Sequence, residues 1–187
     1  EYRPRGRKGS FRCGDELVNR VGEVAAYTLH LNCREFFIYG IKRDRGLWSA
    51  DAYQSLFVNR YLFFDREIEK RTLIALGGKS PFRSHINTIM DYTFFWVISL
   101  WDYYKTYGDR EFLGQIYPQL AQVMAFCRGR VDDDGFVRGK AEHWVFIDCA
   151  PMDKAGDLGG EQSHFAEALR FVPSIVRAIG EETARLE

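Results

Sequence analysis

The segment 91–107 limits the possible folds of this chain more than any other stretch, because it is a helix-length run with large apolar side chains on most of its faces. These side chains are Tyr92, Phe94, Phe95, Trp96, Ile98, Leu100, Trp101 and Tyr104. A helix that is apolar on most faces has to be buried between other elements. We therefore expect a helical protein in which this segment packs on two sides.

Five further segments carry apolar residues at the spacing of amphipathic helices. They are 14–32, 52–64, a segment from Asp65 to Gly77-Gly78, one from Gly108-Asp109 to about Cys127, and one from about Glu161. Pro118 predicts a bend or a late start in its helix, and short strands are expected at 136–139 and 144–147.

Three long loops, 33–50, 78–90 and 130–160, separate the predicted helices into a single helix, two pairs and a last helix. Loops longer than about a dozen residues in a compact domain are usually functional. Helix pairs with functional loops on one side are typical of an all-α toroid, in which the loops converge over a central cavity.

Composition excludes several kinds of partner and site. The 26 basic residues balance 26 acidic ones, which argues against nucleic acid or an anionic membrane as a partner. No segment has the length of a membrane-spanning helix. Cys13, Cys33, Cys127 and Cys149 form no Cys-x-x-Cys pair, and the histidines are isolated. We therefore expect free thiols and neither a metal nor a cofactor.

The start of the chain bears on its location. Residues 1–8 are basic, but no apolar run follows them as it would in a signal peptide. Two locations therefore stay open: periplasmic or secreted if a targeting segment precedes this sequence, and cytoplasmic otherwise.

Residues 40–51 (Gly-Ile-Lys-Arg-Asp-Arg-Gly-Leu-Trp-Ser-Ala-Asp) hold the densest mixture of functional groups in the chain. Carboxylates, guanidiniums, an ammonium and an indole lie close together there. An indole offers a flat face to the C–H groups of a sugar, and charged groups can bind the hydroxyl groups of the sugar. The alternative is a solvated loop with incidental ion pairs, which contribute little to stability.

Asp44 and Asp51 are the candidate catalytic carboxylates of this stretch. Two carboxylates across a cleft are typical of glycoside hydrolysis, in which one donates a proton and the other accepts one. Arg43 and Arg45 flank Asp44, and pairing with either would stabilise the carboxylate rather than the acid. Asp44 is therefore suited to binding sugar hydroxyls at least as well as to donating a proton. For Asp51, the alternative is that it or Ser49 only caps the following helix.

A second cluster, Glu142-His143-Trp144 with Asp148, lies in the third long loop. Trp144 beside two acids again suits a sugar platform with acceptors for hydroxyl groups. The alternative is a strand edge with Trp144 in the core.

Several stretches together resemble the catalytic domain of bacterial α-L-rhamnosidases. They are 27–37, 40–54, His85-Ile86-Asn87-Thr88 and Trp144-Val145-Phe146-Ile147-Asp148. The family motif is an Asp, a short spacer, Arg, an acid, Arg, then Trp and Gly-Asp. Here Arg43-Asp44-Arg45, Trp48 and Ala50-Asp51 fall on it, and the resemblance covers residues 10–170.

The resemblance implies an (α/α)6 barrel of six helix pairs, usually flanked by β-sandwich domains, that hydrolyses terminal L-rhamnose with inversion. It makes Asp44 the candidate general acid and Asp51 a further catalytic or supporting carboxylate. The expected sugar-binding residues are Arg43, Arg45, Trp48, His143, Trp144 and Asp148.

The sequence departs from the family pattern at three positions. Tyr39 stands where the motif begins with Asp, Asp44 replaces the usual Glu, and Ala50 replaces Gly. The general base of the family is a Glu from the later half of the barrel, and Glu161 and Glu167 come too early for it.

We therefore expect residues 1–187 to form a single partial catalytic domain, the first half of the barrel, with 1–12 as an extended lead-in. The expected partners are a rhamnose-containing oligosaccharide or glycoside, the remainder of the barrel and the β-sandwich domains. Two alternatives of other classes stay open: a non-catalytic carbohydrate-binding fragment and a helical interaction scaffold.

Overall fold

The computed structural model of the protein describes residues 6–42, 44–138, 144–147, 151, 153–154 and 158–180. This part of the chain contains six α-helices: α1 (Glu16–Asn32), α2 (Ser49–Leu62), α3 (Arg66–Leu76), α4 (Met90–Tyr107), α5 (Arg110–Arg128) and α6 (Gly159–Ile179). A 3-10 turn, Ile86–Thr88, precedes α4. The all-α prediction is confirmed, and the chain divides into two compact units, Glu1–Leu73 and Ile74–Glu187.

The expected strands at 136–139 and 144–147 are absent from the described residues, where only isolated bridges occur. Val137 pairs with Val131, and Trp144 pairs with Ile89 instead of with the 136–138 segment. The Gln162 side chain supplies the reason, because its amide accepts from the Val137 N–H at 3.1 Å and donates to the Val137 carbonyl at 2.7 Å. A side chain of α6 thus satisfies the backbone that a second strand would have paired.

In the first unit, a buried polar cluster joins α2 to α3. The Asn59 Nδ2 donates to Glu69 Oε1 at 2.7 Å, and the Arg60 guanidinium lies 3.1 Å from Glu69 Oε2. Asn59 also donates to the Asp65 carbonyl, while Asp65 accepts from the Ile68 N–H at the start of α3. The turn between the two helices is therefore held by side chains whose hydrogen bonds are satisfied inside the unit.

The second unit is built around α4, as its apolar sequence predicts. Phe94, Trp96, Leu100 and Tyr103 are fully buried, and α4 packs along α6. Gly108 ends α4 in the left-handed conformation, with φ at +63°. Asp109 then caps α5 by accepting from the Phe112 N–H.

Pro118 lies inside α5, which nevertheless starts at Arg110. The late start that this proline suggested is therefore wrong. None of the helices in the described part of the chain is long and apolar enough to cross a bilayer.

Candidate functional site

The residues of the 40–51 stretch lie on a tight loop of the first unit, closed by backbone pairing. Tyr39 and Gly46 exchange two hydrogen bonds, and the Arg45 N–H donates to the Gly40 carbonyl at 2.8 Å. Gly40 takes a φ of +67°, which favours glycine. The loop returns on itself within eight residues, from Tyr39 to Gly46.

Asp44 packs its carboxyl group onto the α-carbon of Gly40. A Cβ atom at Gly40 would lie 3.4 Å from Asp44 Oδ2 and 3.2 Å from the Asp44 nitrogen. The Asp44 side chain is exposed to solvent, and no described residue forms an ion pair with it. A side chain at position 40 would therefore crowd Asp44, and glycine there leaves room for this exposed carboxylate.

Arg45 is the described arginine beside Asp44. Its Nε donates to the Ile41 carbonyl at 3.0 Å, so that the guanidinium is turned onto its own loop. Arg43, the other predicted arginine, lies outside the described residues. The expected arginine pairing of Asp44 therefore stays a prediction for Arg43, and Arg45 serves to shape the loop.

Trp48 precedes α2 as its N-cap residue and has extended backbone angles. Its indole edge lies on Gly46, where a Cβ atom would collide with Nε1. Trp48 as a whole is half-buried. Only glycine at position 46 leaves room for the indole in this place.

Asp51 occupies the first turn of α2, three residues after Trp48. Residues three apart on a helix are neighbours on its surface, and the helix dipole stabilises a carboxylate in the first turn. Neither Ser49 nor Asp51 is the N-cap residue, because Trp48 takes that place without a side-chain capping bond. The first unit thus brings Asp44, Arg45, Trp48 and Asp51 together on one loop and helix start.

Trp144 belongs to the second unit, where its backbone is held on both sides. Its N–H donates to the Thr88 carbonyl, and its carbonyl accepts from the Met90 N–H, both at 3.0 Å. The indole is 57% exposed and packs edge-to-face on Phe146. The alternative placement of Trp144 in the core is wrong, since its ring faces solvent. His143 and Asp148 lie outside the described residues.

Two carboxyl groups beside this segment were not predicted as site residues. Asp91 accepts from the Phe146 N–H and from the Ile147 N–H, each at 3.1 Å. Glu161 is fully buried. Burial first, and then the charge of Asp91, raise the pKa of Glu161 to about 8. The sequence signal that could have found them is an acidic residue on the buried face of α4 and another on that of α6.

No cluster of three or more potential metal ligands occurs among the described residues. Cys33 and Cys127 are buried and Cys13 is half-buried, all as free thiols. Burial raises the pKa of the Cys127 thiol to about 12, although Arg130 opposes the effect. This thiol is therefore unreactive at neutral pH.

The model of the bacterial alpha-L-rhamnosidase 6 hairpin glycosidase domain matches residues 6–183. Among solved structures, a GH78-family rhamnosidase of Bacillus sp. GL1 is 26% identical, with a TM-score of 0.85. That match covers 95% of this chain and 20% of that one. None of the curated protein sequences is similar enough to count as a match.

A rhamnosidase from Klebsiella oxytoca with rhamnose bound is 23% identical, with a TM-score of 0.68 over 93% of this chain and 38% of that chain. The chain thus spans about a fifth of the Bacillus protein and less than two fifths of the Klebsiella protein. The likeness covers nearly all of this chain, and the helix-pair architecture is the one predicted. The chain belongs to the family of bacterial α-L-rhamnosidase six-hairpin glycosidase domains.

Proposed function

We propose that this domain binds a terminal L-rhamnosyl group of a glycoside and that, within a complete barrel, it contributes the general acid for hydrolysis with inversion. Family membership supports the rhamnose specificity, and the printed description of the Klebsiella relative includes bound rhamnose. The observation that carries the proposal is the loop of the first unit, in which an exposed carboxylate at Asp44 and the half-buried Trp48 lie four residues apart.

The roles of the first-unit residues follow from their chemistry. Trp48 offers its ring to the apolar face of the sugar, and Asp51 accepts hydrogen bonds from sugar hydroxyls as a carboxylate. Asp44 donates a proton to the glycosidic oxygen as the bond breaks.

On the second unit, we propose that His143, Trp144 and Asp148 bind sugar. In an inverting hydrolase, the second carboxylate stands about 6.5–9.5 Å from the acid, so that a water molecule fits between them. We expect that base to come from a part of the barrel beyond residue 187.

The test measures binding and turnover separately. Calorimetry with L-rhamnose should show binding that is lost in Trp48→Ala, with Trp101→Phe as a control for replacement of a tryptophan elsewhere. Release of the leaving group from an aryl α-L-rhamnoside, with proton NMR of the sugar, should give β-L-rhamnose as the first product. Formation of α-L-rhamnose first would contradict inversion.

A second candidate is non-catalytic carbohydrate binding, favoured by one specific observation. Tyr39, which stands where the family motif begins with Asp, is half-exposed and pairs with Gly46 in the same loop. Rhamnose binding without turnover of the aryl rhamnoside in the full-length protein would support this candidate. Absence of any rhamnose binding would leave the helical scaffold as the remaining alternative.

A further inference from the structure

Four hydrogen bonds fasten the segment 144–147, one to Thr88 in the 3-10 turn and three to the start of α4, and two of these three end on one side chain. Asp91 accepts from the consecutive N–H groups of Phe146 and Ile147, one on each carboxyl oxygen. Ile147 has a φ of +49°, which is rare for a β-branched residue. The two bonds to Asp91 therefore hold a backbone turn that this sequence does not favour by itself.

Asp91 is a buried carboxyl group with a hydrogen-bond donor on each of its oxygens. It is fully buried in the first turn of α4, where the helix dipole favours negative charge. Two backbone donors already solvate its oxygens.

Glu161 stands against Asp91 from the first turn of α6. Neither of its oxygens accepts a hydrogen bond from a described residue. Two buried carboxylates in contact cannot both be charged without a large cost, so one of them keeps a proton. The proton belongs to Glu161, because only Asp91 has donors that stabilise its charge, and a protonated Glu161 can then donate to Asp91.

We propose that Asp91 is a positioning residue for the Trp144 indole, and that Glu161 supports it by carrying the single proton of the carboxyl pair. This role rests on the proposed function in so far as Trp144 contacts sugar. The indole packs on Phe146, and the Phe146 backbone is what Asp91 holds. Loosening that bond therefore moves the ring on which Trp144 rests.

The other titratable groups around the pair do not replace this proton. His164, on α6, has its pKa lowered by burial, although the Asp91 charge opposes the effect, so the ring is neutral at pH 7. Lys154 donates to the Phe146 carbonyl at 2.6 Å, on the other side of the same peptide segment. Deprotonation of Glu161 above about pH 8 thus adds a second negative charge beside Asp91 with no described cation against it.

Fluorine NMR of the full-length protein containing 5-fluorotryptophan tests the positioning directly. The Trp144 signal is identified by its loss in Trp144→Phe. We expect this signal to shift in Asp91→Asn. The asparagine amide has an NH₂ donor in place of one acceptor oxygen, so that one of the two hydrogen bonds from the backbone N–H groups is lost. Asp102→Asn, a change of a less buried carboxylate on the same helix, should leave it in place.

The pH dependence of the same signal tests the role of Glu161. In the unmodified protein, we expect a transition near pH 8, and in Glu161→Gln, which mimics the protonated acid, no transition between pH 6 and 9. An unmoved Trp144 signal in Asp91→Asn, or a transition that persists in Glu161→Gln, would overturn the proposal. The glutamine variant decides the matter even if Asp91→Asn does not fold.

Rhamnose affinity separates this proposal from the proposed function. We expect Asp91→Asn and Trp144→Ala each to weaken L-rhamnose binding about tenfold, with no further loss in the double variant, since both act through one contact. Additive losses would contradict positioning through Trp144. If the unmodified protein does not bind rhamnose, the proposed function fails, while the fluorine spectra still decide the role of Asp91.

Discussion

The indole of Trp48 lies directly on the α-carbon of Gly46, so that only the hydrogen side chain of glycine fits at position 46. Gly46→Ala places a methyl group where the indole nitrogen now lies. We expect the ring to be displaced and L-rhamnose affinity to fall about tenfold, as when one good contact is lost. Calorimetry measures the loss. Gly114→Ala is the matched control, because nothing lies within 4 Å of a methyl group there.

Asp44 is the residue whose proposed role as an acid makes the most specific kinetic prediction. Asp44→Asn in the full-length enzyme should lower turnover at least about a hundredfold, the low end for loss of general acid catalysis. Aryl rhamnosides with good leaving groups should lose less, because they need little protonation. Steady-state kinetics on a series of leaving groups measures the difference, and Asp133→Asn, at an exposed turn, serves as control.

The alternative role of Asp44 predicts a different pattern in the same series. Equal losses on activated and unactivated substrates would assign Asp44 to sugar binding. The acid would then have to be sought at Asp51, whose place in the first turn of α2 favours the charged form. The shorter side chain of Asp44, compared with the usual Glu, limits its reach toward the glycosidic oxygen.

At the scale of elements, the contact between α2 and α3 depends on one buried carboxylate. Glu69 is fully buried and bound by Asn59 and Arg60. Glu69→Ala leaves the Arg60 charge without this partner, and removing one member of a buried pair costs about 3–5 kcal/mol. We expect a loss of that size in the free energy of unfolding, measured with urea.

Glu67→Ala is the matched control for this prediction. Glu67 lies two residues earlier on the same helix and pairs with Arg66 at the surface, where both side chains are at least half-exposed. Its removal should change the free energy of unfolding by less than about 0.5 kcal/mol. Equal effects of the two substitutions would contradict a special role for the buried cluster.

The sequence predicted the helices well where their apolar spacing is regular, and less well where tertiary contacts decide. The aromatic α4 differs by one residue from its predicted start. By contrast, α2 begins at Ser49 rather than 52. The sequence did not indicate this start, because the N-cap residue, Trp48, makes no side-chain capping bond. The strand expected at 136–139 failed because Gln162, distant in sequence, satisfies the Val137 backbone.

The candidate site shows the same limit. Asp44, Trp48 and Asp51 were predicted because they lie within one short stretch whose motif is local. Asp91 was not predicted, since its carboxylate gains its hydrogen-bond donors only when the segment 144–147 folds back onto the start of α4. Its contact with Glu161 depends on the packing of α4 against α6, which no spacing rule gives.

At the scale of the whole molecule, the surface of α1 predicts how the chain behaves in solution. Leu17, Val21 and Val24 follow one another along one face of α1 and are each at least half-exposed, and Tyr27 is exposed beside them. Contiguous exposed apolar surface of this kind marks an interaction site or an aggregation risk. The 187-residue chain should therefore bind a hydrophobic fluorescent dye and associate as its concentration rises.

Two matched lysine substitutions test whether the α1 face is responsible. Val21→Lys places a charge in the middle of this face, at a residue that is 60% exposed, and should reduce both dye fluorescence and the mass measured by light scattering. Ile74→Lys adds the same charge at a 56% exposed residue outside α1 and should change neither. A dye-free monomer at high concentration, or equal effects of the two variants, would show that α1 needs no partner. A specific effect of Val21→Lys would identify α1 as the face to which another helix or a second copy binds.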